Sequence, residues 1–94
     1  MASNPLGASK ARFNIAVANS RGAIEVFEDG LEIKADKFVQ LRNNYVVSLE
    51  QTGKLALNKV GATMDYFDMF GNKEQLAFSI AAHDYASLKK LLGK

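Results

Sequence analysis

The sequence predicts a mainly β fold with one α-helix: about seven antiparallel strands forming a curled sheet or partly open barrel, closed by a C-terminal amphipathic helix. Three observations predict it. Apolar and polar residues alternate with period two along much of the chain, the signature of half-buried strands. Turn signals recur roughly every eight to twelve residues. The last stretch, Asp84 to Leu92, changes to helical spacing, with Tyr85, Leu88, Leu91 and Leu92 on one stripe. No strand–helix–strand repeat, internal repeat or low-complexity segment interrupts this order.

Residues 1–10 read as a flexible tail, small and polar with Pro5 and Gly7. Residues 11–94 read as one domain. Phe13, Ile15 and Val17 alternate with Arg12, Asn14 and Ala16, giving a first strand that ends in an Asn19-Ser20-Arg21-Gly22 turn. Ile24 and Val26 point inward on the next strand. Asp29-Gly30 then carries the strongest hairpin signal, because a type I′ turn needs positive φ at both central residues. Leu31 and Ile33 continue the inward face on the return. Asp36 to Arg42 fits a strand, a loop or a helical turn, and Asn43-Asn44 is a turn. Tyr45 to Glu50 is strand-like, and the break in alternation at Val46-Val47 predicts a bulge or a strand covered on both faces. Gln51-Thr52-Gly53-Lys54 reads as a turn, with Leu55 and Leu57 facing one way after it, and Gly61 as a bend or a change of sheet. A strand from Met64 to Phe70 turns at Gly71-Asn72. Leu76, Phe78 and Ile80 form the cleanest buried face. Asp84 is a good N-cap for a helix over about residues 84–92, its lysines suit the helix C-terminus, and Gly93 stops it.

Composition narrows function by exclusion. A chain of 94 residues is one small domain. Twelve basic and ten acidic side chains leave a net charge of +2, too even for a nucleic-acid surface. Without cysteine there is no disulfide framework and no thiolate metal site. No apolar run reaches the roughly 18 residues that span a bilayer, and the N-terminus lacks a secretory pattern, so a cytoplasmic location is expected. Charge is unevenly placed: Lys10, Arg12 and Arg21 precede an acidic block of Glu25, Glu28, Asp29 and Glu32. Solvated faces explain this more simply than pairing across neighbouring strands, because exposed pairs contribute little.

The hairpin Ile24–Lys34, the segment Tyr66–Lys73 and the closing helix together resemble the pleckstrin-homology superfold, in particular small bacterial PH-like domains and their GRAM-type relatives. The resemblance covers about residues 11–92. It implies a binding scaffold, often for peptides or for copies of itself. The chain departs from the lipid-binding branch. That branch gathers several basic residues around its first loop, where this chain offers Arg21 with Arg12 and Lys10, and the tryptophan common in the closing helix is absent.

Candidate chemistry is sparse. His83, the single histidine, adjoins Asp84, but neighbours in sequence do not form a triad, and no second His or Cys joins them. Asp65 and Asp68 point to opposite faces of a strand, and the acids up to Glu74 lack the pattern of a calcium loop. No serine sits in a nucleophile elbow. The sequence therefore indicates no catalytic residue, metal or cofactor, and a protein that is not an enzyme. Met64, Tyr66, Phe67, Met69 and Phe70 are the most suggestive cluster. Apolar residues on both faces fit either a docking face for a partner or a strand covered on both sides, and the covered strand is the simpler account.

The expected function is a non-catalytic binding or assembly module acting through a strand edge or the helix–sheet groove, with a protein partner or self-association. The alternative is a peripheral module for anionic lipid using Lys10, Arg12 and Arg21. A small-ligand barrel comes third, disfavoured because Phe13, Ile15, Leu76, Phe78 and Ile80 predict a filled interior.

Overall fold

The computed structural model describes residues 6–18, 20–35 and 38–94. Seven strands are followed by one helix: β1 (Ser9–Val17), β2 (Ser20–Phe27), β3 (Gly30–Lys34), β4 (Phe38–Arg42), β5 (Val46–Leu55), β6 (Lys59–Phe67), β7 (Lys73–Ala81) and α1 (Ala82–Leu92), with one 3-10 turn at Asn43–Tyr45. All strand pairs are antiparallel and form one curled, unclosed sheet in the order β4-β3-β2-β1-β7-β6-β5. The β1–β7 seam is joined through the pairs Ile15–Ile80 and Ala16–Ser79. The predicted mainly β class with a closing helix is what the chain forms.

Alternation places the core as expected for most strands. Phe13 and Ile15, Ile24 and Val26, Leu31 and Ile33, and Phe78 and Ile80 are buried in one cluster, with Leu76 packed partly against it. Leu88 and Leu92 of α1 enter the same cluster. Gly93 caps the helix in the left-handed region at φ 69°, its N–H donating to the Lys89 carbonyl. The Lys89 ammonium donates to the Leu49 carbonyl at 2.7 Å, fastening α1 to β5.

Several local expectations are corrected. Leu6, assigned to the tail, is buried, and residues 9 and 10 belong to β1. The Asp29 and Glu28 N–H groups donate to the carbonyls of Leu6 and Ala8, which ties this segment down. Pro5 lies outside the described residues. The β2–β3 hairpin forms where predicted but not through a type I′ turn, since neither Asp29 nor Gly30 has positive φ. Its turn is held by those bonds to Leu6 and Ala8 instead. Gly30 is required for another reason: a Cβ there would lie 2.0 Å from the Leu41 carbonyl oxygen. The first turn is shorter than predicted, because Ser20, Arg21 and Gly22 already belong to β2 and Ala18 turns with φ 52°. Asn19, like Asp36 in the next uncertain segment, lies outside the described residues.

Gln51–Lys54 is not a turn. β5 continues to Leu55 and absorbs Thr52 as a bulge, with Gly53 opposite Gly61. The predicted bulge at Val46-Val47 also forms, as a register shift between Val46 and Ser48. The chain reverses at Ala56–Asn58, so Leu57 is a turn residue rather than a strand residue. The following strand ends at Phe67, short of Phe70. The helix begins at Ala82, and Ala81 is its N-cap without a side-chain bond. Asp84 lies in the first turn, where its charge favours the helix dipole rather than capping it.

Candidate functional site

Strand parity sorts the predicted partner cluster into three places. Met64 and Tyr66 face inward and are buried. Phe67 faces outward beside its cross-strand partner Lys73. Met69 and Phe70 leave the strand and are displayed on the β6–β7 turn, 79% and 80% exposed. The five residues therefore do not make one surface.

That turn is built around Asp68. Its Oδ1 accepts from the N–H groups of Phe70 and Asn72, both at 2.9 Å. The Asp68 N–H donates to the Asn72 carbonyl, and the Gly71 N–H donates to the Asp68 carbonyl. Gly71 takes φ 82°, which a residue with Cβ rarely adopts. Asp65 has a different role on the outer face, where its carboxylate accepts from Gln75. Two apolar side chains are thus held out to solvent on a backbone fixed by side-chain and main-chain bonds.

A groove of about 240 Å³ runs between this turn and the edge strand β4. Phe38, 60% exposed, stands at its β4 end, with Met69 and Phe70 across from it. Tyr66 and its direct partner Glu74 face the groove from the inner side of the sheet, and Asp68 borders it. Burial first, then the carboxylates of Glu74 and Asp68, hold the Tyr66 hydroxyl above the ordinary tyrosine value, so it remains a proton donor. The lining combines apolar side chains with two carboxylates and, among the described residues, no basic group. Phe38 is the member that sequence reasoning missed. Its signal was parity: Val39 and Leu41 face the core, so Phe38 is an aromatic on the polar side of its strand.

Leu88 and Leu92 pack from α1 into the core. The two edges of the sheet differ. β5 carries two bulges, which interrupt the regular ladder that a pairing strand needs, whereas β4 is short and lines the groove.

The basic residues are not gathered. Arg12 lies opposite Glu25, while Arg21 lies opposite Ala16 towards the other end of β1, and Lys10 is further still from Arg21. Arg21 instead borders a second depression of about 550 Å³ at the β1–β7 seam, with Lys59 and Asp84 also on it. His83 Nε2 lies 3.3 Å from Asp84 Oδ1, so these neighbours do touch, but the imidazole is 85% exposed and water screens the pair. Among the described residues no three potential ligands gather as a metal site requires, and no helix is long and apolar enough to cross a membrane. No protein-family model matches the chain, and no curated protein matches it in sequence.

Proposed function

We propose that this chain is a non-catalytic binding module of pleckstrin-homology-like architecture that takes a protein segment in the groove between β4 and the β6–β7 turn. The carrying observation is the display of three large exposed apolar side chains, Phe38, Met69 and Phe70, around one groove. Large exposed apolar side chains grouped on one patch mark interaction surfaces more often than scattered ones do. The strand order and closing helix support the architectural part of the reading. The groove is below the roughly 300–1,000 Å³ of small-molecule sites, which favours a few side chains over a drug-sized ligand.

A displayed library of random peptides provides the test. Enriched peptides should bind the parent chain and lose at least roughly ten-fold in affinity on Phe70→Ser or Phe38→Ser, a loss equivalent to 1.4 kcal/mol. Phe67→Ser, on the outer face, should leave binding unchanged. Failure to enrich any peptide, or equal binding by all three variants, rejects the reading.

A further inference from the structure

The β5–β6 hairpin has the features that this groove lacks. Every residue from Glu50 to Lys59 is exposed, and Leu57 at the reversal is 88% exposed. Leu57 also takes φ 62°, followed by Asn58 at φ 60°. Asparagine tolerates that region, whereas a leucine there is strained. A fully solvated leucine held in an unfavourable conformation contributes nothing to this chain's own core. Strain of this kind points to a use outside the fold.

The surroundings of Leu57 are cationic. Lys54 is paired with Val60, and Lys59 with Leu55, so the two lysines stand on opposite faces of the ribbon on either side of the tip. Neither forms an ion pair or side-chain hydrogen bond with a described residue. The tip itself is steadied from below, where the Ala82 N–H donates to the Asn58 carbonyl at 2.8 Å. It is an apolar knob between two positive charges. The groove is an apolar cleft bordered by Asp68 and Glu74.

Resting on the binding reading above, we infer that the occupant of the groove is the β5–β6 hairpin tip of a second copy of this chain, with Leu57 seated among Phe38, Met69 and Phe70 and Lys54 and Lys59 set against Glu74 and Asp68. The inferred contact is head-to-tail, with knob and groove at opposite ends of β6. Such a contact leaves one free knob and one free groove on every dimer and continues into a ring or a filament. Lysine–carboxylate pairs at its rim make assembly sensitive to salt.

Sedimentation velocity over a concentration series tests the inference. The parent chain should form species larger than a dimer as concentration rises, and fewer of them in high salt. Leu57→Asn removes the knob and suits the left-handed backbone, so it folds at least as stably; Phe70→Ser removes a groove wall that is already exposed. Each variant alone should associate at least ten-fold more weakly. Mixed in equal amounts, they should give a dimer and nothing larger, because one intact groove meets one intact knob. A parent chain that stays monomeric overturns the inference, as does a mixture that stays monomeric or a Leu57→Asn protein that assembles like the parent. Library peptides that still bind a monomeric parent at the groove would reject the second copy as occupant and leave the binding reading in place.

Discussion

Glu25 on β2 and Glu32 on β3 stand directly opposite each other, a pair of like charges in register. Lys34 reconciles them, with its ammonium 3.0 Å from Glu25 Oε1 and 3.6 Å from Glu32 Oε1. Within the acidic block Glu25 and Glu32 are thus paired across neighbouring strands, with Lys34 rather than with Lys10, Arg12 or Arg21, while Glu28 and Asp29 are exposed. Glu32 is buried as a residue and also accepts from the Gln40 amide. Lys34→Met should destabilise the fold by about 1–2 kcal/mol, because it leaves two facing carboxylates without their shared cation. Adding Glu32→Gln should recover part of that loss. Urea denaturation of the single and double variants measures both.

Glu25 also gives the fold an acid limb. The Ser9 hydroxyl, donating at 2.6 Å, holds its carboxyl below the ordinary 4.5, with Lys34 adding to the effect. A carboxyl lowered in the folded state stabilises the fold above its unfolded value. That contribution is complete above pH 4.5 and declines as pH falls through the lowered value. Ser9→Ala should lower the melting temperature near neutrality, where the contribution is complete, and the difference from the parent should narrow as pH falls below 4.5. Circular dichroism melts from neutral to acid pH would reveal this, and a difference that stays the same at every pH would refute it.

Two glycines should respond oppositely to the same substitution. At Gly30 a Cβ would meet the Leu41 carbonyl at 2.0 Å and Arg42 Cα at 2.9 Å, both backbone atoms that cannot rotate away. Gly30→Ala should cost more than about 2 kcal/mol and loosen β4 first. Gly53 has nothing within 4 Å of its Cβ position. Gly53→Ala should be neutral or stabilising by up to about 1 kcal/mol, since glycine weakens a strand interior. Thermal melts rank the two, and amide exchange locates the loosened strand.

Helix α1 makes a similar contrast between neighbouring leucines. Leu88 is fully buried, whereas Leu91 is 39% exposed. Leu88→Ala should destabilise by about 2–5 kcal/mol, and Leu91→Ala by less than about 1 kcal/mol. Equal losses would mean that the helix presents a different face to the sheet.

Much of the architecture was legible because one force dominated locally. Phe13 and Ile15, Ile24 and Val26, and Phe78 and Ile80 are buried at alternate positions, as a half-buried sheet demands. Gly93 follows the helix stripe and ends the helix as read. The errors fall where local chemistry met a tertiary partner. Asp29-Gly30 is a strong turn pair, yet Leu6 and Ala8 supply the bonds and Leu41 explains the glycine. Gln51–Lys54 is made of turn residues, but a bulge admits them into β5. Leu91 lies at the margin of an apolar stripe too broad for the sheet beneath it. Within the candidate site, Met69 and Phe70 were named from the sequence. Their separation from Phe67 and their juxtaposition with Phe38 depend on where β6 ends and on how the sheet curls, and neither is a local property.

The strand order also has a kinetic consequence. Every neighbouring pair in the sheet except β1 and β7 is consecutive in the chain, so each can form as a local hairpin. The β1–β7 seam joins residues separated by most of the sequence and rests on two paired positions. Closing so long a loop loses chain entropy before many contacts form to offset it. Folding should therefore be limited by this one closure: Ile80→Val should slow refolding, while Leu41→Ala should mainly accelerate unfolding, a difference that stopped-flow chevrons would resolve. A molecule that is local almost everywhere would then have its folding time set at Ile15 and Ile80.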